Sequence, residues 1–315
     1  MSKRTLALIG ILSAYSAATT AQASAFSFTN TLPQQNDVRL SLGMGWLEGS
    51  TGEYVYKTDG SKLSQLDWQI KPTPIAKIGL SWEMNRYITF GLDGWTTLSP
   101  QESQMDDYDW MRNGDARWSH HSTHPGTTLR YANALDASLT AWVLRGSAYR
   151  VGIMMGYQTS NYAWSAYGGQ YRYDDGKVAG NFPDNTKVVS LRQRYDVPYI
   201  GASAYYRRGD FELSATAKYS DAATGQSDDT HFLRGLYFQD QVDNARFYAV
   251  SLKMAHYLTP NTKMFAEVGV NYFEETKGQS VVTSTQTQKR SQTGPESVGM
   301  SHQDYNVTLG MQYTF

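Results

Sequence analysis

Apolar residues alternate with polar or small residues along most of the chain. The alternation is most regular over residues 38–46, 211–219 and 264–272, where every second side chain is apolar. A period of two predicts β-strands that have one apolar and one polar face. A soluble β-sandwich shows the same alternation, so this pattern alone leaves the class of β protein open.

The connections between the alternating segments are of two kinds. Tight turn signals occur near residues 84–86, 145–147, 208–210 and 259–261. Long polar stretches cover residues 48–62, 97–126, 173–187, 220–243 and 274–302. Five long and four short connections separate ten strands, and short turns opposite long loops are typical of outer-membrane barrels. We therefore predict an all-β fold, a ten-stranded antiparallel transmembrane β-barrel with long extracellular loops.

The two ends of the chain favour the same interpretation. A basic pair precedes an apolar run over residues 6–18, which is followed by an Ala-x-Ala site, the pattern of a cleaved signal peptide. That run is too short to cross a bilayer as a helix. The other end alternates apolar residues up to Phe315, as bacterial outer-membrane barrels typically do. We predict a signal peptide at residues 1–23 and one barrel domain at residues 24–315, located in the bacterial outer membrane.

The composition removes several other classes of protein. The 315 residues contain no cysteine, which excludes a disulfide scaffold and thiolate metal sites. With 28 basic and 29 acidic residues, the chain has no positive surplus for binding nucleic acid. The mean hydropathy of −0.52 fits alternating strands with polar loops. The 23 tyrosines fit aromatic girdles at the two membrane interfaces.

Two short acidic motifs carry the candidate chemistry. Asp107 and Asp109 are two residues apart in the long stretch after the third strand. Asp229 and His231 have the same spacing after the seventh strand. In an extended segment, residues two apart share one face. If both faces line the barrel mouth, three carboxylates and an imidazole can hold and deprotonate a water molecule. The spacing alone also fits solvated loop acids beside an incidental histidine.

Several further stretches accompany these two motifs. They are SQLDW (64–68), GWTTL (94–98), DYDWM (107–111), HP (124–125), YAN (131–133), PYIG (198–201) and DTH (229–231). In these stretches the chain resembles the omptin family of outer-membrane proteases, and the resemblance covers essentially the whole mature chain. It implies a ten-stranded barrel with catalytic groups in a groove at the extracellular rim. It also implies cleavage of polypeptides next to Arg or Lys.

The resemblance carries the family's catalytic positions onto this chain. The aspartate pair matches Asp107 and Asp109, and the Asp-His dyad matches Asp229 and His231. The resemblance implies that a water held between Asp107 and His231 attacks the scissile carbonyl. Asp229 orients the imidazole, Asp109 supports the water, and no covalent acyl-enzyme forms.

The resemblance also implies a substrate pocket and a lipid site. Glu53 matches the family's pocket carboxylate, and Ser227 stands where the family has a second pocket acid. This replacement is expected to weaken the preference for Arg. Tyr157 and Arg194, with Arg192 nearby, match the exterior site at which the family binds lipopolysaccharide, its activating lipid.

Other functions remain open at this point. A non-catalytic barrel could act as an adhesin or invasin through its loops, although all four catalytic positions are present. A Ser/His mechanism that uses Ser122 is an alternative, but no third orienting group or oxyanion hole can be identified for it. A lipase or deacylase would need a serine nucleophile with a nearby histidine, and the sequence does not place one. A porin is disfavoured because ten strands leave an interior filled with side chains. The histidines at 120, 121 and 124 suggest zinc, but rim histidines and a structural His-Pro turn fit better, so no metal site is predicted.

Overall fold

The computed structural model describes residues 32–315 except Asn113. The predicted signal peptide, residues 1–23, lies outside the described residues. The described chain forms strands and one short 3₁₀ turn, Asp174–Gly176. The strands are β1 (Val38–Tyr56), β2 (Lys62–Glu83), β3 (Ile88–Thr97), β4 (Gln101–Glu102), β5 (Met105–Asp109), β6 (His120–His124), β7 (Thr128–Arg145), β8 (Tyr149–Tyr173), β9 (Val178–Arg208), β10 (Phe211–His231), β11 (Leu236–Tyr257), β12 (Thr262–Ser284), β13 (Arg290–Gln292) and β14 (Val298–Thr314).

Ten of the fourteen strands form one closed antiparallel ring. Its order is β1-β2-β3-β7-β8-β9-β10-β11-β12-β14, and β14 pairs with β1 from Arg39↔Thr314 to Val55↔Val298. The other strands, β4, β5, β6 and β13, are short segments in two of the long connections. A closed ladder satisfies the backbone polar groups that lipid cannot. The predicted ten-stranded antiparallel barrel is therefore confirmed.

The outer surface of the ring is apolar over the half that carries the tight turns. On β1, the side chains of Leu42, Met44 and Trp46 are 57%, 63% and 58% exposed, although each is large and apolar. The other ring strands expose similar residues at the same level, such as Leu309 on β14. Such a continuous band fits lipid rather than water. No helix among residues 32–112 and 114–315 is long and apolar enough to cross a membrane.

The tight turns lie where the sequence predicts them, but the long loops were predicted too long. The sequence predicts a loop over residues 220–243, yet β10 continues to His231 and β11 begins at Leu236. Similarly, β9 starts at Val178, inside another predicted loop. Above the membrane the outward faces lose the regular lipid-facing apolar residues, so the alternation weakens while the backbone ladder continues. We call the end with these extended strands the mouth.

The lumen within the membrane-spanning half is filled by paired charges. Glu83 lies between Arg39 and Arg150, and its Oε1 accepts from Arg150 Nη2 at 2.7 Å. Glu267 is paired in the same way with Lys77 and Lys253. The remaining pairs are Lys263–Glu212 and Lys218–Asp136. The polar cavity among these groups holds about 290 Å³, so side chains occupy most of the interior, as expected for ten strands.

An apolar layer separates this lumen from the mouth. The rings of Trp68 and Trp164 lie 6.0 Å apart, and those of Tyr195 and Phe273 lie 4.2 Å apart. All four side chains are almost completely buried. Opposite walls of the barrel touch at this level, where Thr51 Oγ1 on β1 lies 2.5 Å from Gln193 Oε1 on β9. The layer forms a floor beneath the candidate site.

Candidate active site

The aspartate pair lies on a strand at the mouth. In β5, Asp107 is opposite Leu66 of β2, and Asp109 is opposite Ser64. Opposite residues in an antiparallel pair point to the same side, so both carboxyls face the lumen together with buried Leu66. The Ser64 hydroxyl donates to Asp107 Oδ1 at 3.3 Å. The sequence placed the pair in a loop; pairing of β5 with β2 and β6 makes it a rigid strand instead.

The Asp-His dyad lies on the inward face of β10. His231 Nε2 is 2.6 Å from Asp229 Oδ2, so the ring N–H donates to a carboxylate that is only 5% exposed. Asp229 Oδ1 is buried and has no hydrogen-bond partner among the described residues. The dyad also belongs to a strand rather than the predicted loop, because β10 is paired on both sides up to His231.

The pair and the dyad face one another across the mouth, and each changes the other's protonation. Burial, followed by the charge of Asp109, raises the pKa of Asp107 to about 7, while His231 acts in the opposite direction. Burial alone lowers the pKa of His231, but Asp229 and then Asp107 raise it above its ordinary value. Burial also raises the pKa of Asp109. The raised pKa of Asp107 and that of His231 suit groups that exchange protons.

The Glu53 carboxylate lies deep between opposite walls of the mouth. Its Oε2 accepts from Trp68 Nε1 at 2.9 Å, and its Oε1 accepts from Ser227 Oγ at 2.8 Å. Burial, then the charges of Asp229 and Asp240, raise the pKa of Glu53 well above its ordinary value. Glu53 and Ser227 are thus brought together, as predicted for a pocket, beside the Asp229–His231 dyad.

The neighbouring histidines serve the fold. His124 Nδ1 donates to the Gly168 carbonyl at 2.6 Å, and its Nε2 accepts from Ser122 Oγ at 2.9 Å. Ser122 and His124 are both buried, so this serine-histidine contact is closed to a substrate. His121 stacks on Tyr108 at 4.6 Å. Within the described chain, no group of three or more His, Cys, Asp or Glu residues is arranged to hold a metal ion.

The predicted lipid-site residues lie on the outer surface, at the upper edge of the apolar band. Tyr157 on β8 is 49% exposed, and Arg194 on β9 is exposed beside it. Arg194 Nε donates to Asp196 Oδ2 at 2.7 Å. Arg192 is also exposed and lies opposite Asp228 of β10.

Sequence reasoning missed three residues of the mouth. Ser64 bonds Asp107, Trp68 bonds Glu53, and Asp240 of β11 lies opposite Ser227. Asp240 could have been found from the sequence, because it has the same strand parity as the inward Phe238 and Val242. Ser64 and Trp68 carried no chemical signal of their own, since a hydroxyl and an indole become informative only beside a carboxylate.

These features define a class of protein. A closed ten-stranded barrel with an apolar belt, a charge-filled lumen and a group of carboxyls and a histidine at its mouth is an outer-membrane barrel enzyme. The comparisons with known proteins agree with this class and narrow it.

The chain belongs to the omptin family, whose family model matches residues 34–315. It is 37% identical to the plasminogen activator of Yersinia pestis, over 93% of this chain and 94% of that protein. It is 34% identical to the outer membrane protease OmpP of Escherichia coli K12, over 88% of this chain and 90% of that protein. The structure of outer membrane protease OmpT from Escherichia coli matches with a TM-score of 0.86 at 32% identity, covering 90% of this chain and 99% of that one. The chain is thus a protease of the bacterial outer membrane.

Proposed function

We propose that the chain is an endopeptidase that cleaves surface or extracellular polypeptides next to Arg or Lys. The single observation that carries the proposal is the meeting of an aspartate pair and an Asp-His dyad across the mouth, where the pKa of Asp107 is raised to about 7 and that of His231 is also raised. A non-catalytic adhesin or invasin has no use for buried acids of raised pKa that face an Asp-His dyad in one cleft.

In this mechanism the nucleophile is a water molecule held between Asp107 and His231. His231 Nε2–H donates to Asp229, which leaves the Nδ1 lone pair free to accept the proton of the water. The oxygen of the water adds to the scissile carbonyl, and the imidazolium then gives its proton to the leaving amine. Asp229 stabilises the imidazolium, and Asp109 supports the water and the tetrahedral species. The enzyme is of the aspartic type, and no covalent intermediate forms.

Glu53 supports the choice of a basic substrate residue. Its carboxylate is buried and, among the described residues, is hydrogen-bonded only to the Ser227 hydroxyl and the Trp68 indole. A guanidinium that enters this pocket replaces the Ser227 bond with a charge-assisted, bidentate contact. The family resemblance, in which the matching carboxylate binds the residue before the cleaved bond, supports a basic residue on the amino side of that bond.

Lipopolysaccharide is the expected activating lipid, and the mouth faces the outside of the cell. The exposure of Tyr157, Arg194 and Arg192 on the outer surface, next to the apolar band, supports this expectation, because basic side chains there can bind lipid phosphates. No other cofactor is proposed. The short turns lie at the opposite, periplasmic end, as in other outer-membrane barrels.

The test is an assay of the refolded mature chain, with and without rough lipopolysaccharide, on fluorogenic peptides with Arg-Arg, Lys-Lys or Arg-Val junctions. We expect cleavage after the basic residue and a requirement for the lipid. Removal of the base in His231→Ala should reduce kcat by about 10²–10⁴. The matched control is His121→Ala, which removes an imidazole that stacks on Tyr108 at the rim.

Full activity of folded His231→Ala would refute the mechanism. Binding of host proteins without any peptide cleavage by the unaltered chain would favour the adhesin alternative. Heat-modifiable gel mobility establishes that each variant is a closed barrel.

A further inference from the structure

Asp240 is an acid at the mouth to which the proposed mechanism gives no role. It lies on β11 directly opposite Ser227 of β10, so the two side chains point to the same side of the sheet. Ser227 Oγ in turn donates to Glu53 Oε1 at 2.8 Å. Asp240, Ser227 and Glu53 therefore form a row across the pocket, with Ser227 between the two acids.

No Lys or Arg of the described residues forms an ion pair with Asp240, and His231 is the positive neighbour that favours its charged form. Its Oδ1 atom is inaccessible to solvent and has no hydrogen-bond partner in the described part of the chain. Ser280, opposite it on β12, is the neighbour that most favours its charged form. Burial, together with the charge of Asp229, raises the pKa of Asp240 to about 7. A buried carboxyl without a partner is destabilising, so such a group usually has a ligand or a function.

The charge balance of the pocket indicates which kind of ligand the pocket binds. Among residues 32–112 and 114–315, no Lys or Arg forms an ion pair with Glu53, Asp229 or Asp240. Only His231 pairs with one of them. No potential metal cluster includes them within those same residues. The missing positive charge is therefore an organic cation that enters from the mouth.

We propose that Asp240 is the second acid of the pocket for the basic residue before the cleaved bond. Position 227 carries only a hydroxyl, so Asp240 on the adjacent strand supplies the second carboxylate. The inference rests on the proposed function, because it assigns this pocket to an Arg or Lys of the substrate. Two carboxylates on either side of a planar guanidinium can each accept N–H bonds, whereas an ammonium is a point charge. Arg is therefore preferred over Lys, contrary to the weakening expected from Ser227.

The first experiment compares peptides that differ only at the residue before the cleaved bond, which is Arg, Lys or Gln. The unaltered chain and Asp240→Asn are refolded with rough lipopolysaccharide. Loss of one charge-assisted contact should lower kcat/KM for the Arg peptide by about 10- to 100-fold. The Gln peptide should change by less than about twofold. Asp228→Asn is the matched control, since Asp228 accepts a bond from Tyr237 on the outer surface.

A positional exchange separates a pocket role from a role in folding. The double variant Ser227→Asp/Asp240→Ser keeps the number of acids and moves one across the strand pair. It should recover most of the Arg selectivity lost in Asp240→Asn. Equal losses on the Arg and Gln peptides would overturn the proposal, because Asp240 would then act through Asp229 and His231. Unchanged selectivity in Asp240→Asn would overturn it as well.

A binding measurement makes this proposal independent of catalysis. Nα-acetyl-arginine amide is titrated into the folded Asp107→Asn chain, and tryptophan emission is followed because Trp68 bonds Glu53. Binding that is weakened by Asp240→Asn supports the pocket even if the unaltered chain cleaves nothing, which would refute only the proposed function. Binding that is unaffected by Asp240→Asn overturns the pocket assignment even if cleavage is normal.

Discussion

In the membrane-spanning lumen Glu83 lies between two arginines, whereas at the mouth the bonding partners of Glu53 in the described part of the chain are a hydroxyl and an indole N–H. Both carboxylates are buried to a similar degree, at 1% and 5% exposure. Three further acids of each region follow the same division. Glu267, Glu212 and Asp136 each pair with a lysine, while Asp107, Asp109 and Asp240 have no such partner among the described residues.

This difference separates structural acids from functional ones. A buried carboxylate with matched cations is permanently charged and ties strands together across the lumen. A buried carboxylate without a cation has a raised pKa and an unmet demand for positive charge, which suits proton transfer and recognition of a basic residue. The apolar layer around Trp68 and Trp164 keeps the two regions apart.

The largest expected effect comes from breaking a pair in the lumen. Glu83→Gln leaves Arg39 and Arg150 buried without their counter-charge, which should lower the free energy of unfolding by about 3–5 kcal/mol. Urea titration of the refolded barrel measures this change. The matched control is Glu274→Gln, whose exposed pair with Arg246 contributes only about 0–1 kcal/mol. Similar losses in the two variants would contradict the role of the lumen pairs.

The corresponding change at the mouth should affect selectivity rather than stability. Glu53→Gln removes the pocket charge, so kcat/KM for an Arg peptide relative to a Gln peptide should fall by about 10- to 100-fold. The free energy of unfolding should change by less than about 1 kcal/mol, because burial already disfavours the charged form. Glu48→Gln, on the same strand near the outward Tyr305, is the control. If Glu53→Gln lowered the free energy of unfolding as much as Glu83→Gln does, the proposed difference between the two regions would be contradicted.

The smallest expected effect is on the pH dependence of cleavage. The reaction needs ionised Asp107 and neutral His231, and the pKa of Asp107 is raised to about 7 while that of His231 is also raised. Cleavage should therefore fall by about tenfold as the pH is lowered from 8 to 6. Asp109→Asn removes the like charge beside Asp107 and should move this acid limb to lower pH. If the acid limb of the pH profile stays in place, the coupling between Asp107 and Asp109 is contradicted. Asp106→Asn, on the outward face of β5, is the control.

The fold was largely predictable because a barrel repeats one signal many times. Every second residue of a strand such as β1 faces lipid, as Leu42, Met44 and Trp46 do, so the apolar alternation is regular. The four tight turns mark where consecutive strands are joined. The bounds of the long loops were wrong, since above the membrane the strands lose the lipid-facing apolar residues. Backbone pairing, as between Asp229 and Leu191, depends on neighbours that are distant in sequence.

The candidate site was predictable in part. Spacing and family resemblance identified the four candidate catalytic residues, Asp107, Asp109, Asp229 and His231. The sequence did not reveal the roles of Ser64, Trp68 and Asp240, because each role depends on a partner residue on another strand.

The sequence by itself determined the strands, the turns and the residue types available at the mouth, since periodicity and side-chain chemistry are local properties. Only the tertiary structure decided which acids received a cation and which did not. Ring closure brings Glu53 of β1 to Ser227 of β10, and strand pairing sets Asp240 opposite that serine. The charge state of a buried carboxyl depends on its neighbours in space. At the mouth those neighbours come from four strands, β1, β2, β10 and β11.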